Sequence, residues 1–410
     1  MKVLILHSEL GLLRGGGENF VKNLFTEFAR RGHQVDAAFA ADPLGRYPVT
    51  LPESFTVIPV SGWWFRQAGQ KWLSMLGRRI PNESSLRPLW DRFQEGLGWR
   101  NFRWYNQRFT KRVGAMFNSR WINYDLIFVN GLDLALLAAP FRPTMLWLAG
   151  PLAADQEPQL RKIPVVSADG DAFLKMQQFL GEHITELSIG MDGSRFHPGN
   201  DSERTALGWD TQQCVFGYVG RLTELKGADI LAKAFAEISR EFAQSRLLIL
   251  GSGEAEQTVR SILKPQIAAG HVKFHPGVDH QRLPFWYRAM DAFVLPSRYE
   301  NFSNALLEAS ACGIPFIASD VGGNRILRQS GGCGDLFRVG SVEDFVRCMR
   351  DFIRASNEKQ LRAREFSTVI REKYSWAATA DKLEWILSTR LGLSNSVKPA
   401  PPLAGSRQTS

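Results

Sequence analysis

The chain has 410 residues, more than one hydrophobic core ordinarily serves, so two domains are expected. Its 44% hydrophobic and 22% charged content excludes a disordered or fibrous chain. The net charge of +9 is concentrated between Ser61 and Trp121, where twelve Lys/Arg face three Asp/Glu and where seven of the twelve tryptophans lie.

Along the chain, short β-type runs alternate with segments of helical period, the signature of βαβ units and a parallel sheet. The first run, Val3–His7, follows a start with no small-residue cleavage site and reads as a strand rather than a signal peptide. A helix over Glu18–Arg31 follows, with Phe20, Leu24, Phe25 and Phe28 on one side and Gly32 as its stop. Further strands are expected at Val35–Ala40, Phe55–Val60, Leu126–Asn130, Met145–Ala149 and Pro164–Ser167. The most apolar stretch, Leu132–Ala154, is broken by Pro140, Arg142, Pro143 and Pro151, so no transmembrane helix is expected. Gly190–Asp201 is turn-rich and serves as the linker.

In the second half, strands are expected at Val215–Val219, Leu247–Leu250, Val272–His275, Ala292–Leu295 and Phe316–Ala318, with helices starting near Ala228, Glu254, Leu283 and Asn304. A last helical pattern, Trp376–Leu391, precedes a Pro-, Ser- and Gly-rich tail, 394–410, expected to be disordered. The resulting domains are 1–190 with a helix at 374–391, and 191–373. Four cysteines without CxxC spacing fit a reducing compartment, and the protein is expected in the cytoplasm.

Two stretches carry chemistry. In Tyr218–Gly227 a strand ends, Gly220 opens a turn, and Arg221 and Lys226 precede a helix. Open α/β sheets bind ligands at such strand ends, where two cations can neutralise a diphosphate. In Pro296–Ala309, Glu300 stands in a loop and Glu308 on the helix after it, seven residues between them. A carboxylate there can accept both hydroxyls of a ribose, and backbone N–H groups from Phe302 to Asn304 can hold phosphate or sugar oxygens. Surface cations in a turn and two solvated acids are the plain alternatives, but Glu308 lies among Ala305, Leu306, Leu307, Ala309 and Ala311, where an unpartnered buried carboxylate is costly.

Taken together, Gly220–Gly227 (GRLTELKG), Ser297–Gly323, Glu186–Pro198 and the N-terminal His7–Val35 resemble glycosyltransferase family 4, retaining enzymes of the GT-B fold. The resemblance implies an α/β chain of two Rossmann-like domains facing across a cleft, with the C-terminal helix returning to the first domain. It implies transfer of a sugar from a nucleotide-sugar donor to a saccharide or lipid-linked saccharide in cell-envelope, exopolysaccharide or lipopolysaccharide synthesis. Arg221 and Lys226 would bind the donor diphosphate, Glu308 the ribose, and Glu300 the sugar hydroxyls, with backbone groups of Asn301, Phe302, Ser303 and Asn304 nearby. Gly15, Gly16 and Gly17 would bring backbone close to the phosphates. No metal or other cofactor is expected, since the cations supply the electrostatic stabilisation. The family's histidine after an N-domain strand is absent: the comparable loop reads Trp147-Leu148-Ala149-Gly150-Pro151, and His7 is a candidate substitute. A fold-mate that binds nucleotide sugar without turnover, as a regulator or scaffold, is the alternative.

Other features of the sequence carry weaker signals. Asp169-Gly170-Asp171 is an Asp-x-Asp triplet read as a helix cap rather than a metal site. Gly251-Ser252-Gly253 lacks a third glycine for a dinucleotide fingerprint, Glu256 standing in its place, and Gly253 is placed beside the nucleotide instead. The Ser61–Trp121 insert fits either solvated helices or an anionic membrane surface; nucleic acid is not expected as a partner.

Overall fold

The computed structural model describes residues 1–10, 16–41, 50–61, 106–118, 120–200 and 202–393. Most of the basic, Trp-rich insert (62–105) and the 394–410 tail lie outside the described residues. The chain divides into two units, the first Met1–Ala168, Lys175–Leu187 and Ala380 onward, the second Asp169–Leu174 and Ser188–Thr379.

In the first unit the described strands are β1 (Lys2–Leu6), β2 (Gln34–Ala41), β3 (Phe55–Ser61), β4 (Leu126–Val129), β5 (Thr144–Leu148), β6 (Val165–Ala168) and β7 (Ile184–Glu186). They form one parallel sheet in the order β3-β2-β1-β4-β5-β6-β7. Every residue of β4 and β5 is buried, as expected of central parallel strands covered on both faces. The helix Gly16–Arg30 buries Phe20, Val21, Leu24, Phe25 and Phe28 along one stripe, with Phe20 stacked on Trp147 at 4.0 Å between ring centres.

The helix over 106–117 corrects the treatment of 61–121 as one insert. Phe109, Val113 and Phe117, four residues apart, are buried, and Trp121 continues the stripe against Phe117 and Phe141. Lys111 and Arg112 face solvent. The end of that stretch is therefore ordinary core packing.

In the second unit the strands are β8 (Cys214–Val219), β9 (Ser245–Leu250), β10 (Val272–His275), β11 (Ala292–Leu295), β12 (Phe316–Ser319) and β13 (Gly334–Phe337), all parallel, in the order β10-β9-β8-β11-β12-β13. The amphipathic helix Ala228–Glu241 buries Ile230, Leu231, Ala234, Phe235 and Ile238.

β7 and β13 were not expected from sequence. β7 is three residues long, and β13 begins Gly-Asp, a pair depleted in strands. β13 forms because its backbone pairs with β12 from Phe316↔Gly334 to Ser319↔Phe337.

Unit boundaries also differ by a few residues from the expected 190/191 and 374. Met191 N–H donates to the Tyr374 carbonyl at 2.7 Å, and Met191 bridges Ser375. Gly190 lies so close to Trp376 that an added Cβ would sit 2.6 Å from the ring. These contacts hold 188–191 and 374–379 together in the second unit. Beyond Ala380, Arg31 bonds Asp381 at 2.7 Å and Glu384 at 3.2 Å, fastening this end of the chain to the first unit.

Candidate functional site

In the second sheet β8 connects onward to β9 on one side, while β11 lies on its other side, so the strand order reverses between β8 and β11. Ligand sites of open α/β sheets form outside the carboxyl ends of strands at that reversal. Arg221 and Lys226 leave the end of β8, and Glu300 leaves the end of β11.

The two loops are fastened to each other. Arg298 N–H donates to the Leu225 carbonyl at 2.8 Å, and its guanidinium grips Asp229 through two bonds of 2.8 and 3.0 Å. Arg298 holds the Asp229 carboxyl below the usual carboxylate range, chiefly through that hydrogen bonding. Gly227 stands where the loops meet: its φ is +69°, and an added Cβ would lie 2.0 Å from the Pro296 carbonyl oxygen. Only glycine combines that conformation with that approach.

The clamp brings Lys226 Nζ to 2.7 Å from Glu300 Oε1, an oxygen that also accepts from Ser297 Oγ at 2.7 Å. Glu300 is 5% exposed and Ser297 fully buried, so this carboxylate is held in one place. Tyr218 donates to the Arg221 carbonyl at 2.7 Å; burial, with the Glu300 charge adding, pushes its phenol pKa up and keeps it a donor. The Arg221 side chain is exposed, with no partner among the described residues. Gly220 closes the turn after β8, its N–H donating to Leu250. Gly253 approaches that turn so closely that an added Cβ would be 2.2 Å from the Leu222 carbonyl oxygen. The loop after β9 therefore lies flat against the Arg221–Leu222 backbone.

The stretch after Glu300 divides its work. The Asn301 side chain is taken up within the second unit: its amide donates to Asp169 Oδ1 at 2.6 Å and its oxygen accepts from Ala172 N–H at 2.7 Å. This side chain orders the start of the helix Gly170–Leu180, whereas the expectation from sequence concerned the Asn301 backbone. That contact also engages Asp169 of the Asp-x-Asp triplet. Phe302 packs on Tyr374 at 5.5 Å. The Ser303 hydroxyl caps the helix Asn304–Ala311 by accepting from Leu306 N–H, leaving the Asn304 and Ala305 N–H groups at the helix start. Glu308, on this helix, is 13% exposed and is partnered as its apolar neighbours demand: Tyr287 donates to Oε2 at 2.9 Å, and His280 Nε2 stands 3.5 Å from Oε1.

The residues sequence reasoning missed are Tyr218, Ser297, Tyr287 and His280. Tyr218 and Ser297 border the quoted motifs but carry no charge to draw attention. Tyr287 and His280 are twenty-one and twenty-eight positions from Glu308, and only the packing of β10, β11 and their helices joins them.

In the first unit the strand order reverses between β1 and β4. His7 follows β1, 3.0 Å from the Asn130 amide beyond β4 and 3.9 Å from Glu18. Gly16 and Gly17, expected in a loop, form the first turn of the helix Gly16–Arg30, where N–H groups have no intrahelical partner. Gly15 lies outside the described residues. The Trp147–Pro151 loop carries no titratable side chain, and His7 is 4% exposed.

Burial lowers the His7 pKa from 6.5 to about 4. A histidine lowered in this way contributes stability that is complete above 6.5 and lost as pH falls toward 4. Between neutral pH and about pH 5 the loss is about 2 kcal/mol by linkage. Urea unfolding of the full chain at both pH values should show it, and His7→Asn should remove it; an unchanged pH dependence in the variant would refute the assignment.

Residues 199–369 match the family described as glycosyl transferases group 1. The match covers 171 of the 410 residues, so it is this stretch of the chain that resembles the family. The matched span holds every candidate of the second unit from Gly220 to Glu308. A D-inositol 3-phosphate glycosyltransferase of Rhodococcus opacus (strain B4) is 35% identical over 208 residues, 49% of this chain and 46% of the relative. The chain spans about half the length of the curated relatives it matches. Among solved structures, sucrose-phosphate synthase from Thermosynechococcus elongatus superposes with a TM-score of 0.71 at 19% identity, covering 96% of this chain and 100% of that one. Anabaena Alr3699/HepE in complex with UDP superposes with a TM-score of 0.68 at 20% identity, covering 95% and 100%. At such identities the likeness shows the fold, which is GT-B, with two Rossmann-like domains. Among the described residues, no helix is long and apolar enough to cross a membrane.

Proposed function

We propose that the protein is a glycosyltransferase that moves a sugar from a nucleotide-sugar donor to a saccharide or lipid-linked saccharide acceptor. The observation that carries this reading is the Lys226–Glu300 pair, fixed by Ser297 at the β8/β11 reversal, with the exposed Arg221 on the same loop as Lys226. Arg221 and Lys226 bind the donor diphosphate. As the bond between the anomeric carbon and the phosphate oxygen breaks, the negative charge left on the phosphate is stabilised by these cations and by the helix start at Asn304. Glu300 accepts from hydroxyls of the transferred sugar, and Glu308 from those of the ribose. The acceptor hydroxyl forms the new bond on the face the phosphate leaves, its proton passes to the departing phosphate oxygen, and anomeric configuration is retained. No metal is required by this scheme. The Gly16–Gly17 helix start is a further anion-binding element of the chain.

Thermal-shift measurements with UDP, GDP, ADP and their sugars test the reading. A nucleotide at 100 times its Kd stabilises the folded state by about 2.7 kcal/mol. One of the three should raise Tm, Glu308→Ala should remove the rise, and the matching nucleotide sugar should be turned over. No rise with any of them, and no turnover, would sink the proposal. A rise without turnover would favour the second reading, a protein that binds nucleotide sugar without transferring it. The absence of a titratable side chain in the Trp147–Pro151 loop favours that reading. The charge and tryptophan content of 61–121 support a cytoplasmic protein working at an anionic membrane face, where a lipid-linked acceptor would lie.

A further inference from the structure

Glu308 is the carboxylate that the proposed function assigns to the ribose, and the structure sets beside it two side chains, Tyr287 and His280, that lie outside the family motifs quoted above. Tyr287 is fully buried and donates to Oε2 at 2.9 Å. Burial, reinforced by the Glu308 charge, raises its phenol pKa well above the ordinary value, so it remains a donor. On the other side His280 presents Nε2 to Oε1 at 3.5 Å, and its Nδ1 lies 2.6 Å from Arg195 Nη2. An arginine has no acceptor, so Nδ1 must be the bare ring nitrogen and the ring proton sits on Nε2, the nitrogen nearer Glu308. Phe196, 2% exposed, braces both donors: its ring meets His280 at 5.9 Å and Tyr287 at 6.1 Å, each edge to face. Arg195 lies over that same ring at 4.6 Å.

The consequence is a carboxylate with Tyr287 bonded to one oxygen and the exposed His280 ring standing 3.5 Å from the other. A carboxylate offers about four lone-pair positions. Two remain, one on each oxygen, matching the two hydroxyls of a ribose. With His280 removed, Glu308 keeps only the Tyr287 bond and can turn about it, and the second hydroxyl loses a fixed acceptor.

We propose that His280, oriented by Arg195 and braced by Phe196, is a positioning residue that fixes the Glu308 carboxylate for recognition of both ribose hydroxyls. This rests on the donor-site reading. Isothermal titration of the full chain tests it, using whichever of UDP, GDP and ADP binds and the 2′,3′-dideoxy form of the same nucleotide. His280→Ala should weaken binding of the ribonucleotide five- to tenfold and leave the dideoxy form within twofold. Glu308→Ala should behave likewise, and the double variant should lose no more than Glu308→Ala alone, because one interaction cannot be lost twice. His280→Gln, which keeps a side-chain N–H, should recover part of the loss. Equal weakening of both nucleotides would overturn the proposal, since a base contact, a phosphate contact or a general loosening acts on either form. An unchanged ribonucleotide affinity in His280→Ala would overturn it while leaving the donor site standing. If none of the three nucleotides bound the unaltered chain, the donor reading would fall and this inference with it.

Discussion

Lys226→Ala lowers donor turnover by about a hundredfold or more, the range found when a charge-stabilising donor is removed from a transition state. The ammonium stands 2.7 Å from Glu300, so the substitution removes two things together. One is a cation at the strand end where the diphosphate would develop charge. The other is the charge partner of a carboxylate that is 5% exposed. Breaking a fully buried ion pair costs about 3–5 kcal/mol, but Lys226 keeps 25% of its side-chain surface and Ser297 still donates to Glu300, so about 1–2 kcal/mol of stability is the expected loss here. A second variant separates the effects. Lys226→Met with Glu300→Gln leaves no unpaired charge; it should recover most of the stability and none of the turnover. Steady-state kinetics with the donor found by thermal shift, alongside urea unfolding, measures both. Turnover within threefold of the unaltered chain would remove Lys226 from the site.

Gly227→Ala destabilises the second unit by about 3–5 kcal/mol, most of the margin of an ordinary domain. Two costs combine. The residue sits at φ 69° and ψ 29°, where a side chain costs about 1–2 kcal/mol. The added methyl would also meet the Pro296 carbonyl at 2.0 Å, and both sides of that contact are backbone. Gly208 separates the two costs: its φ is +68°, but an added Cβ meets nothing within 4 Å. Gly208→Ala should therefore lose only the conformational part. If urea unfolding finds the two variants equal, the close seating of the Lys226 turn on the β11 loop is wrong. Because that seating also brings Lys226 to Glu300, Gly227→Ala protein that still folds should turn over donor poorly.

The parallel strands with continuous apolar runs were legible from sequence, and so were the helices whose apolar residues recur every three to four positions. β7 and β13 were not, because their residues have weak strand preference and their pairing comes from a neighbour. The stripe Phe109, Val113, Phe117 and Trp121 was available in the sequence but hidden by the basic residues between its members. Within the candidate site, Arg221, Lys226, Glu300 and Glu308 were legible because charged residues at strand ends and within an apolar helix need a reason to be there. The Asn301 side-chain amide bonds Asp169 and Ala172, partners that its place in the motif does not reveal. A sequence pattern says where a side chain departs from the chain, not which polar group it meets.

The sequence by itself therefore determined the class of fold and most of its elements, and it pointed to four charged residues of the second unit, because periodicity and the cost of misplaced charge are local properties. Tertiary structure alone decided the pairing of Lys226 with Glu300, the seating of Gly227 on Pro296, and the enclosure of Glu308 by Tyr287 and His280. Those partners lie twenty to seventy-odd positions apart, and no local property of the chain joins them. They meet because six parallel strands in crossed order carry their carboxyl ends to one edge of the sheet.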